Sequence, residues 1–151
     1  MRVRCEYSMK ETILEKNIKR PYSLHDMVIN NIEIVGNDVK LFFEHGFTKT
    51  KDPYNQVDGS IKIENVDFDF ADIYFLSENG SYGNYNGKKI TVKNFIKEYK
   101  NYSLEVVNEL FGYNMVEYSG FLTIPGEENL IEFSLGFYYT GNLIYYTKEW
   151  L

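Results

Sequence analysis

Residues 32–43 read IEIVGNDVKLFF, two runs of alternating apolar residues that meet at a Gly-Asn pair. Glycine and asparagine tolerate the positive φ that a two-residue hairpin turn demands, so this stretch reverses at Gly36-Asn37. The turn fixes the register: Val35 faces Asp38, Ile34 faces Val39 and Ile32 faces Leu41. Four large apolar side chains then share one face, with Glu33 and Lys40 on the other. Continued without a break, the register would set Asn30 beside Phe43. One extra residue at Asn30-Asn31 restores Ile29 to Phe43, so a β-bulge is expected there.

The same logic applies to IEFSLGFYYTGNLIYYTKEW near the C-terminus. A turn at Gly141-Asn142 pairs Tyr139 with Ile144, Phe137 with Tyr146 and Phe133 with Trp150, giving a nearly all-aromatic face. The last strand is then a core element whose removal is costly. Residues 61–68 alternate, and ADIYFLS, residues 71–77, is a run of strand formers. The tract NGSYGNYNG at 79–87 is a turn region in which Asn86-Gly87 closes a hairpin into KKIT. From Thr91 the period changes: Val92, Phe95, Ile96 and Tyr99 recur at helical spacing behind Thr91 in a capping position, which predicts a helix over 91–101. Residues 102–111 either extend that helix or open a hairpin through GYN into MVEYSGFLTI, and the hairpin is preferred. The expected fold is mostly β and antiparallel, with about eight strands in a sandwich or partly open barrel and one α-helix near 91–101. The alternative is an α+β arrangement with one long helix over 91–111. No repeat, low-complexity block or Pro/Ser-rich linker divides residues 1–151, so one domain is expected.

Composition narrows function. The chain has 14 Tyr, 11 Phe and one Trp, 17% aromatic, which suits pleated, half-buried surfaces and also a surface that stacks on a sugar or a partner. Its net charge of −6 argues against sequence-independent nucleic-acid binding. Charge is uneven, because residues 1–20 carry a local +3 that reads as a solubilising edge strand or arm. Cys5 is the only cysteine, so no intramolecular disulfide can form and a cytoplasmic location is expected. The N-terminus lacks the apolar core of a signal peptide, and no stretch reaches membrane-spanning length. Codons for the abundant Lys, Asn, Ile and Tyr are AT-rich, which points to a bacterial source.

Candidate chemistry is sparse. His25-Asp26 invites a catalytic dyad, but neighbours in an extended segment point to opposite sides. Asp26 is instead expected to cap a turn before the strand, with His25 at its mouth. Cys5, His25 and His45 are too far apart in sequence for a structural zinc site, and no metal or other cofactor is expected. The stretch 64–78, ENVDFDFADIYFLSE, has five carboxylates and no Lys or Arg. A calcium loop starting at Asp67 fails, because Ala71 and Asp72 stand where a ligand and a glycine are needed. Alternation explains the tract: Val66, Phe68 and Phe70 face in, while Asp67 and Asp69 face water. There is no Gly-x-Ser-x-Gly elbow, phosphate loop or dinucleotide fingerprint.

Ser23-Leu24-His25-Asp26, continued by Ile29, Ile32 and Ile34, the Gly-Asn-Asp turn and the C-terminal Y-Y-T-G-N-x-x-Y-Y resemble small bacterial proteins grouped as domains of unknown function. A similar Leu-His-Asp opening occurs in some immunity proteins of bacterial toxin systems. The resemblance implies a non-catalytic domain that binds a basic protein such as a toxin or nuclease. The residues expected to contribute to interaction are His25, Asp26, Asp67, Asp69, Asp72, Tyr82 and Tyr85. Two other readings stand beside it. One is a carbohydrate or small-ligand module using Tyr82, Tyr85, Tyr113 or Tyr118 on the surface; the other is a hydrolase using His25 or His45 with an acidic partner.

Overall fold

The structure, a computed structural model, describes residues 7–15, 19–78 and 85–150, with side chains except those of Tyr7, Tyr85, Asn86, Glu149 and Trp150. Its strands are β1 (Tyr7–Ile13), β2 (Tyr22–Ser23), β3 (Val28–Val35), β4 (Asp38–Phe43), β5 (Phe47–Lys49), β6 (Gln56–Val57) and β7 (Gly59–Ile63). They continue with β8 (Asp72–Glu78), β9 (Tyr85–Thr91), β10 (Ser103–Gly112), β11 (Met115–Thr123), β12 (Ile131–Tyr138) and β13 (Leu143–Trp150). Among the described residues the one α-helix is α1 (Val92–Glu98), with Thr91 accepting from the Asn94 N–H as its cap.

The fold is thus mostly β and antiparallel, as the alternation predicts, but it has more strands than the eight or so expected. Ten form one open sheet in the order β1-β13-β7-β4-β3-β10-β11-β12-β8-β9, and β2-β5-β6 form a second. The long-helix alternative fails because Tyr99 turns extended and Asn101 takes φ 56°, so 103–112 leave the helix axis as β10.

The β3–β4 hairpin has the predicted register residue for residue, including the shift between Ile29 and Asn31. Just past that bulge the Ile32 N–H donates to the buried Tyr102 hydroxyl at 3.0 Å. Burial pushes this phenol up to about 12, against the pull of the Ile32 N–H.

Three local expectations are corrected. β12 and β13 do not pair: β12 lies between β11 and β8, and β13 lies between β1 and β7. The link between them bonds elsewhere instead of turning back on itself: Tyr139 N–H donates to the Asn114 carbonyl, Thr140 N–H to Asn65 and Gly141 N–H to Glu64. A Cβ at Gly141 would stand 2.6 Å from that of Glu64, so this glycine serves a close approach. Second, Asn86-Gly87 does not close a hairpin; both lie within β9, with Gly87 at φ 65° beside the register shift against β8. The turn itself lies outside the described residues. Third, Phe70 faces out, because Phe68–Phe70 form a short 3-10 turn capped by Asp67, and its threefold period breaks the alternation.

One face of the large sheet carries the core: Ile61 and Ile63, Leu104 and Val106, Val116 and Tyr118, Phe133, Leu135 and Phe137, and Tyr145 are all buried. A flat ten-stranded sheet spans roughly 43 Å, whereas a seven-residue helix covers only about 10 Å. The inner face must therefore cover itself. β7 and β12, about 24 Å apart on a flat sheet, are joined at their ends: β7 stops at Ile63, and Val66 only three residues on bridges Tyr139 just past β12, so the sheet curls over. The small sheet fills part of the concavity, with Tyr22 4.9 Å from Phe47 and 5.1 Å from Tyr145 between ring centroids. Helix α1 fills another part, where Phe95 meets Tyr102 at 4.7 Å.

Candidate functional site

His25 and Asp26 lie in a turn closed by the Met27 N–H donating to the Leu24 carbonyl. Asp26 holds φ 65°, and this left-handed residue ends the extended geometry that would have separated the side chains. Contrary to expectation they touch, His25 Nε2 lying 3.4 Å from Asp26 Oδ2, while Nδ1 donates to the Val107 carbonyl at 2.8 Å. Both nitrogens are engaged and the side chains are 61% and 66% exposed, so the pair forms an open surface contact. His45 similarly sits 3.6 Å from Glu44 on the surface. Among the described residues no three His, Cys, Asp or Glu side chains converge as metal ligands.

Asp67, Asp69 and Asp72 come together with aromatic residues that the sequence did not mark. On β12 the inward residues are Phe133, Leu135 and Phe137, so Ser134, Gly136 and Tyr138 face outward. Gly136 is opposite Asp72 on β8 and Glu117 on β11, which places a carboxylate on each side of it. No atom of the described residues lies within 4 Å of where a Gly136 Cβ would be, so the space above it is open among them. At one end of this dimple Tyr138, 48% exposed, meets Phe70, 60% exposed, edge to face at 6.0 Å. At the other stands Tyr74, opposite Ser134. Ser134 Oγ donates to Glu117 Oε1 at 2.6 Å, and Lys89 Nζ reaches Asp72 Oδ2 at 3.6 Å. Asp67 accepts from the Asp69 N–H, and both are exposed beside Phe70. The phase of FSLGFY carried the missing signal, because Tyr138 falls on the beat of Ser134 and Gly136.

Of the tyrosines proposed for ligand contact, Tyr113 is 84% exposed whereas Tyr118 is fully buried, contrary to the surface position expected for it. Its strand partners explain this: Leu135 opposite is also buried, so Tyr118 lies on the inward beat of β11. Tyr82 and the Tyr85 side chain fall outside the described residues, as does Cys5.

A second feature lies on the concave side. Arg20 donates to Glu109 Oε2 at 2.9 Å, with the two side chains 43% and 3% exposed, and the Leu24 N–H donates to the same oxygen at 3.0 Å. Burial nevertheless pushes the Glu109 carboxyl above its ordinary value, outweighing the pull of the Leu24 N–H, Arg20 and His25. Glu109 Oε1 and the Tyr118 and Tyr145 hydroxyls are buried without a hydrogen-bond partner among the described residues. Because folded Glu109 holds its proton more tightly than the unfolded chain does, its contribution to stability is complete below the usual carboxyl range and is lost as pH rises through the raised value. In Glu109→Gln the amide oxygen can still accept from Arg20 and Leu24, and its NH₂ faces the phenols. We expect this variant to be at least as stable as wild type at neutral pH, with the difference shrinking towards about pH 4 in thermal melts. A wild-type advantage at neutral pH would contradict this.

No helix among the described residues is long and apolar enough to cross a membrane. Set against protein-family models, curated proteins and solved structures, the chain finds no match in any of the three.

Proposed function

We propose that the curled sheet, read as a partly open barrel, is a non-catalytic interaction domain that binds a basic protein in the cytoplasm through the outer face of β8, β11 and β12. The observation that carries this reading is the open floor at Gly136, with aromatic side chains at its ends, Glu117 at one side and the exposed Asp67 and Asp69 beside Phe70, while Asp72 on the other side is buried and paired with Lys89. Exposed aromatic anchors provide contact area at small conformational cost, and acidic residues around them select a cationic partner and speed its approach. A toxin or nuclease of the kind that immunity proteins neutralise would have that charge. Affinity capture from the source cell with wild-type and Phe70→Ala/Tyr138→Ala chains tests the idea. The expected result is a basic protein held by the wild type, bound about 30-fold more weakly by the variant and more weakly still as salt rises. No captured basic protein, or one that both chains hold equally and salt does not affect, would overturn it.

A further inference from the structure

Between β1 and the ends of β10 and β13 runs a groove of about 750 Å³. Its walls include Ile13, Leu14, Phe111 and Leu143, Tyr113 stands at its lip, and Arg20 reaches into it. This volume is ordinary for a small-molecule site, as is the pairing of apolar walls with a few fixed polar groups. Arg20 is the fixed group here. Of the five N–H bonds of a guanidinium, one is donated to Glu109, and the group lies 5.7 Å from the Phe111 ring centroid. Its other N–H bonds have no acceptor among the described residues, and the half-exposed side chain is held from behind by a buried carboxylate that is itself fixed by Leu24. A donor fork held in this way loses little freedom when a ligand arrives.

Polar atoms also gather behind it. Of the four buried side-chain polar atoms without a partner among the described residues, three belong to Glu109, Tyr118 and Tyr145, and the Arg20 charge acts on both phenols. Charge decides the ligand class. Glu109 neutralises Arg20, and Glu15 adds a carboxylate to the groove lining, so an anionic ligand would meet two negative charges and one positive. A neutral oxygen acceptor meets only the donors.

We propose that this groove binds an uncharged, largely apolar small molecule whose carbonyl or amide oxygen accepts hydrogen bonds from Arg20. Three probes with the same ring test it by amide NMR on the intact ¹⁵N-labelled chain: indole-3-acetamide, indole-3-acetate and 3-ethylindole. The acetamide is expected to cause saturable shifts at Ile13, Leu14, Phe111, Tyr113 and Leu143, with the other two binding at least tenfold more weakly. Arg20→Ala strands Glu109, so the blocking variant is Ile13→Trp, at a half-exposed position on the groove wall. It should abolish those shifts and leave the rest of the spectrum folded. The proposal is overturned if the acetamide gives no saturable shift there, if the acetate binds as well or better, or if Ile13→Trp changes nothing.

Discussion

Gly46→Ala is expected to lower the unfolding free energy by about 2–5 kcal/mol, the sum of left-handed strain and a forced backbone shift. Gly46 has φ 67°, and an added Cβ would stand 1.8 Å from the Val57 carbonyl oxygen and 2.8 Å from the Asp58 Cα. Both neighbours are backbone, so neither can swing aside as a flexible side chain would. Gly46 also leads directly into Phe47, which is fully buried against Tyr22, Tyr145 and Phe43. Moving β5 away from β6 would therefore unseat the ring that joins the small sheet to the large one. At roughly 2–4 °C per kcal/mol for a chain of this size, the melting temperature should fall by about 10 °C. Gly36→Ala is the matched control. It has φ 62° with no atom of the described residues within 4 Å of the added carbon, so only the conformational cost of about 1 kcal/mol applies. Equal losses in the two variants, measured by chemical denaturation, would show that the approach of Val57 to Gly46 is not close.

Ending the chain at Asn142 should abolish cooperative folding. β13 lies between β1 and β7, so its removal unpairs two strands at once. It also takes out buried Leu143, Ile144, Tyr145 and Thr147. At about 2–5 kcal/mol for each large buried side chain lost, the total is comparable to the 5–15 kcal/mol that holds a domain together. The truncated chain should show no sharp thermal transition and should lose dispersed methyl and amide resonances. A cooperative melt within a few degrees of the full chain would place β13 at an edge.

What could be read from the sequence follows the range of the interactions. The β3–β4 hairpin was legible down to its bulge, because two alternating runs and a two-residue turn specify one another within 15 residues of chain. Thr91 and the spacing of Val92, Phe95, Ile96 and Tyr99 likewise identified α1 from local chemistry, but the helix ends at Glu98 instead of running to 101, because Tyr99 is already extended. The same reasoning failed at Gly141-Asn142, where Glu64, Asn65 and Asn114 take the backbone groups of the link; none is near it in sequence. The contact between His25 and Asp26 was missed for a smaller reason, a single residue in the left-handed region. For the site, the acidic tract was legible as charge, but its aromatic complement is not, because Phe70 meets Tyr138 only after β12 pairs with β8. Arg20 and Glu109 are 89 residues apart, and no periodicity connects them.

The proposed meeting place for a basic protein is the outer face around Gly136. The most direct test is to add the captured basic protein to the ¹⁵N-labelled chain and record which backbone amides respond. Changes should concentrate at Phe70, Asp72, Tyr74, Glu117, Gly136 and Tyr138 and weaken as salt is raised. Changes confined to other surfaces, such as the groove at Arg20 or the turn at His25, with this face silent, would contradict it.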